Sequence, residues 1–194
     1  MAYIRYLQIA NLAIMYRTKS NPQIVLRPQD LVVLLRLSLE QGAVPTYAVL
    51  ASELSLTASE IHAGLGRATI AQLVRKDNSG KPTVVREALK VFLEHGARYA
   101  FPATHGGMTR GMLTGYAAPP LNDKIVQPNE PPPVWPHKNG AVRGLAFYPL
   151  YPTVPEAAAR NPDLYQLLVL FDAIRGGSAR ERALSLALIE ARWK

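Results

Sequence analysis

The chain has 194 residues, 48% of them hydrophobic and 19% charged, with a formal net charge of +8 and no cysteine. This is the composition of a folded chain, and the missing cysteines exclude disulfides, thiolate nucleophiles and cysteine-ligated zinc. The basic excess admits nucleic acid or another acidic surface as a partner, while no apolar run approaches the ~20 residues of a membrane-spanning helix.

In chain order, residues 1–20 predict a helix with Ile4, Leu7, Leu12 and Met15 along one stripe. Gln8 and Asn11 interrupt the apolar core that a secretory leader would need, so the expected location is cytoplasmic. The segment reads as a dimerisation arm or as an ordinary packing helix. Pro28 and Asp30 then open a second helix, which Gly42 stops, with Leu31, Leu34, Leu35 and Leu39 on its inward stripe. A third helix starts at Pro45-Thr46 and runs through Leu54, with the small Ala51 where another helix must approach.

Ser55-Leu56 makes a turn. Thr57-Ala58-Ser59-Glu60 then has the form of a capping box, which starts a helix that buries Ile61, Leu65, Ile70 and Leu73. Residues 75–82 read as a polar, basic loop and Val84–His95 as a helix ended by Gly96. Arg98–Pro102 alternates like a strand, Thr104–Gly111 is a glycine-rich tip and Met112–Ala117 is the return strand, which together predict a β-hairpin.

Ten of the sixteen prolines fall between Pro119 and Pro155. Trp135, Phe147, Tyr148 and Tyr151 in that stretch make it an expected wrap over apolar surface, with Ala141–Tyr148 as a strand. Asn161-Pro162-Asp163 is a helix start, with Leu164, Leu167, Leu168, Phe171 and Ile174 inward and Gly176-Gly177 as the stop. Ser178–Glu181 is a second capping box, opening a last helix to Trp193. The four histidines lack metal-ligand spacing, and no nucleotide or nucleophile motif is present. No cofactor or metal is expected, and the chain is not expected to be an enzyme.

Leu50-Ala51, Leu54-Ser55-Leu56-Thr57, Ile61 and Leu65 fall at the spacing of a helix-turn-helix. The stretch resembles that of winged-helix bacterial regulators of the MarR type, with Ser55 where those turns usually carry glycine. The resemblance implies a mostly α fold with a small β-hairpin wing, a winged helix-turn-helix followed by a C-terminal helical hairpin. Its units would be an arm over residues 1–27, the winged domain over 28–118, a proline-rich wrap over 119–152 and the helical hairpin over 153–194.

The function implied is that of a sequence-specific double-stranded DNA binder, a repressor acting as a homodimer built by its terminal helices. Helix 58–74 would enter the major groove by its start. Thr57, Ser59, His62, Ala63 and Arg67 would be presented there, with Arg75, Lys76 and Lys81 after them. His105, Thr109 and Arg110 would stand on the wing tip. The alternative is an antitoxin-like or scaffold module that holds a partner protein. Arg67, Arg75, Lys76, Lys81, Arg98 and Arg110 on one face would favour DNA, and their scattering among acids would favour the protein partner.

Overall fold

The computed structural model describes residues 24–42 and 44–193. The helix expected over residues 1–20 lies outside them. The described chain is mostly α, with two small sheets. No helix among the described residues is long and apolar enough to cross a membrane.

Three helices come first: α1 (Pro28–Ser38), α2 (Tyr47–Leu54) and α3 (Ala58–Ile70). From Asp30 to Ser38 every residue of α1 is buried, and α1 packs against α3. Thr46 caps α2, its hydroxyl accepting the Val49 amide at 3.3 Å. The turn between α2 and α3 needs a left-handed residue, and Ser55 adopts it at φ 52. The Ser55 hydroxyl accepts the Arg160 guanidinium at 2.7 Å, and Arg160 also donates to the Ser52 carbonyl. The strain of a non-glycine residue at positive φ is thus met by a contact from the far end of the chain.

Directly after α3, β1 (Val74–Lys76) and β2 (Pro82–Val84) pair antiparallel, Val74 opposite Val84 and Lys76 opposite Pro82. The segment expected as a loop is therefore a hairpin. Its tip closes because the Asp77 carboxylate accepts the amides of Ser79 and Lys81, while Gly80 takes φ 79. Helix α4 (Arg86–His95) begins two residues later than expected, since Val84 completes β2.

The expected hairpin over 98–117 does not form. Residues Ala97–Ala100 are a helical turn, α5, because Ala97 and Phe101 bury together one turn apart and the Phe101 amide returns to the Ala97 carbonyl. The glycine-rich stretch is a strand, β3 (His105–Leu113), that does not turn back on itself. It pairs antiparallel with β5 (Val142–Phe147) and, at its end, with β4 (Pro133–Pro136). β4 and β5 run parallel, closing a three-stranded ring. A Cβ at Gly111 would overlap the Trp135 carbonyl, and one at Gly144 the Pro132 carbonyl. The glycines let three short strands cross at backbone contact. The proline-rich stretch supplies β4, and its Val134 and Trp135 are fully buried.

Helices α6 (Val154–Arg160), α7 (Pro162–Gly176) and α8 (Ala179–Trp193) complete the chain. All residues of α7 from Leu167 to Arg175 are buried, so it is the central helix of the core. α8 covers α7 and also packs on α4, and α6 packs on α2. Arg86 ties the ends together, donating to the carbonyls of Ser38, Glu40 and Trp193.

One buried charge organises the join of α7 to the ring. The Asp172 carboxylate accepts from the Thr114 hydroxyl at 2.7 Å, the Trp135 indole and the Arg175 guanidinium at 2.8 Å. Burial pushes its pKa up, and the adjacent Arg175 charge opposes that shift. Arg175 also donates to the Tyr148 carbonyl and lies over the Phe147 ring. Tyr165 donates to the Leu113 carbonyl at 2.8 Å, and burial raises its phenol to about 12.

Candidate nucleic-acid interface

The start of α3 has the capping box expected from Thr57-Ala58-Ser59-Glu60. The Thr57 hydroxyl accepts the Glu60 amide at 3.1 Å, and the Glu60 carboxylate accepts the Thr57 amide at 2.8 Å. That backbone bond holds the Glu60 carboxyl below its usual range. Thr57 also donates its hydroxyl proton to the Glu60 carboxylate at 2.8 Å, so that proton is committed within the cap.

Ser59, His62, Ala63 and Gly66 are exposed along the first turns of α3. The His62 ring lies 5.9 Å from that of Tyr47 at the start of α2. Both line a cavity of about 120 Å³ between α2, α3 and the β1–β2 hairpin, together with Lys76 and Pro82. The fold therefore brings His62 and the hairpin cation Lys76 to one site. Arg75, Lys76 and Lys81 are exposed on that hairpin. Among the described residues none of the three makes an ion pair. The one acid of the tip, Asp77, is engaged by the Ser79 hydroxyl and the tip amides, which hold its pKa down.

Arg67 departs from the expectation. It turns inward, and its guanidinium grips the Asp30 carboxylate through two bonds of 2.7 Å. The Asp30 hydrogen bond is the largest cause of its raised pKa. Asp30 also accepts the Arg27 amide at 2.9 Å. The pair fits because α3 carries glycine at 64, where a Cβ would stand 2.8 Å from an Asp30 carboxylate oxygen. Ile70, expected to be buried, is 62% exposed, since α3 ends there and Leu73 takes the inward position.

His105, Thr109 and Arg110 do not join this group. They lie on β3, in the other sheet, with His105 edge-on to Phe147 at 4.9 Å and Arg110 opposite Arg143. Arg98 stands over its neighbour Tyr99. Of the six cations whose grouping would separate a DNA partner from a protein one, the hairpin carries Arg75, Lys76 and Lys81, with Lys76 beside His62 and Arg75 in a groove with Glu40 and Glu87, and the other three are placed elsewhere.

Tyr47 and the pairing of Asp30 with Arg67 carry no signal in the sequence. An acid in a helix's first turn has an adequate local explanation in the helix dipole, and nothing local links it to an arginine 37 positions away. Among the described residues no cluster of histidine and carboxylate side chains could hold a metal ion. The chain matches no family model, no curated protein and no solved structure.

Proposed function

We propose that the chain is a winged helix-turn-helix protein that binds double-stranded DNA, with α3 as its recognition helix and the β1–β2 hairpin as its wing. The observation carrying this reading is continuity. Three helices and a hairpin follow one another without interruption, and Lys76 of the hairpin shares a cavity with His62 on the exposed start of α3, with no ion pair to Arg75, Lys76 or Lys81 among the described residues. The hairpin cations would meet phosphates, which position a protein on a duplex. Ser59, His62 and Ala63 would face base edges, the hydroxyl and imidazole by hydrogen bonds and the methyl by contact with thymine. Arg67 has no direct role, being held by Asp30. Regulation as a dimeric repressor belongs to the same proposal.

Fluorescence anisotropy with a duplex at two salt concentrations tests it. Replacing Arg75, Lys76 and Lys81 together with alanine is expected to weaken binding and to reduce the log–log salt slope by about 2.7, at about 0.9 per phosphate contact. Sedimentation in the same buffers reads the dimer. A wild-type chain that binds no duplex at low salt overturns the proposal.

A second reading, a module that holds a partner protein, is favoured by one observation. α3 and the segment before α1 frame an open groove of about 490 Å³ lined by Ile24, Val25, Arg27, Ala63, Gly66, Arg67 and Ile70. Ile24, Val25 and Ile70 are exposed there, an apolar surface that a partner protein would cover and a duplex would not.

A further inference from the structure

The antiparallel ribbon of β3 and β5 has two unlike faces. β4 crosses one of them at backbone contact, over Gly111 and Gly144. Residues directly opposed across an antiparallel pair point to the same side, and so do residues two apart on one strand. Met108 is opposite Leu145, and Arg110 is opposite Arg143. These four side chains therefore share the other face, and all four are exposed. Only one end of that face is closed, where Phe147 is buried beneath the Arg175 guanidinium and against His105.

The arginine pair is an unresolved cost. Directly opposed residues hold their Cβ atoms about 5 Å apart, and like charges so placed repel. Among the described residues neither guanidinium has an ion-pair partner. Beside the pair lie a thioether and a branched aliphatic chain, both open to water.

We propose that this face docks a segment of a partner protein bearing two carboxylates next to apolar side chains. Guanidinium forks take carboxylates in bidentate fashion and would lose their mutual repulsion on doing so. The apolar side chains would cover Met108, whose flexible thioether adapts to varied shapes, and Leu145. A duplex would satisfy the arginines and leave Met108 and Leu145 uncovered, so an acidic, apolar polypeptide is the ligand that uses all four residues. The surface is independent of the α3–hairpin reading and stands or falls separately from it.

Selection of a phage-displayed random twelve-residue peptide library on the full chain tests the proposal, with the synthesised winner measured by anisotropy. Enrichment of Asp and Glu interspersed with Leu, Phe or Trp is expected. The winner should lose roughly tenfold or more in affinity against R110E/R143E, as expected for truncated or reversed charge pairs at an interface. L145S should weaken it without altering the charge preference. R110Q/R143Q serves in place of the reversal if circular dichroism finds R110E/R143E unfolded. Peptides without acidic enrichment, or acidic peptides that bind wild type and the arginine variant equally, overturn the proposal. So does loss of duplex binding in the arginine variant when no acidic peptide is selected, since the face would then belong to nucleic acid.

Discussion

Asp30 is completely buried, whereas the Arg67 side chain that holds it keeps 17% of its surface in water. The asymmetry sets what each truncation does. Arg67→Ala strands a carboxylate in the core, with only the Arg27 amide left to it. A buried charge so abandoned costs about 3 kcal/mol or more, which for a chain of this size lowers Tm by roughly 10 °C. Asp30→Ala is expected to cost less, because the guanidinium can swing outward and be hydrated. Thermal unfolding of the two variants side by side checks this, and equal losses would contradict it. The same pair explains Gly64. A glycine inside a helix costs about 1 kcal/mol relative to alanine, yet here the missing Cβ is the space that the Asp30 carboxylate occupies.

At the scale of elements, the two β units are made by different means. The β1–β2 hairpin is local, and its tip residues account for its closure. The ring of β3, β4 and β5 joins strands distant in sequence, and its register depends on glycines that no other residue can replace at contact distance. Gly111→Ala is expected to destabilise the fold by about 3 kcal/mol, the upper end for overpacking, because the new methyl would meet the backbone carbonyl of Trp135, not a flexible side chain. Urea unfolding followed by far-UV circular dichroism measures the loss. Gly107→Ala, on the same strand with open space around it, is the control and should change stability little.

For the whole molecule, the buried apolar side chains form one cluster from Leu31 in α1 through Trp135 in β4 to Ile189 in α8. Helix α7 is its axis, touching α1, α4, α6 and α8. A core shared in this way leaves no natural seam between the helical start of the chain and the ring. Loss of tryptophan fluorescence, which includes the buried Trp135, and loss of helical circular dichroism are therefore expected to coincide in a single denaturant transition. Two separated midpoints would mean that the ring and the first three helices unfold independently.

Much of the helical layout is legible in the residues themselves. Thr57–Glu60, Asn161-Pro162-Asp163 and Ser178–Glu181 announce helix starts, and those starts are where the chain makes them. Capping and hydrophobic period act over one or two turns, so a short window of sequence contains the whole cause. The alternation at 98–102 misleads because Ala97 and Phe101 both bury in the core, Phe101 edge-on to Phe92 of α4, and burial outweighs strand propensity. The basic segment after α3 hides its hairpin because three-residue strands carry little period-two signal. The partners of β3, the inward turn of Arg67 and the central place of α7 were decided only by tertiary structure. Each depends on a residue tens of positions away, Gly111 on Trp135 and Arg67 on Asp30, and no local pattern encodes which distant group will arrive.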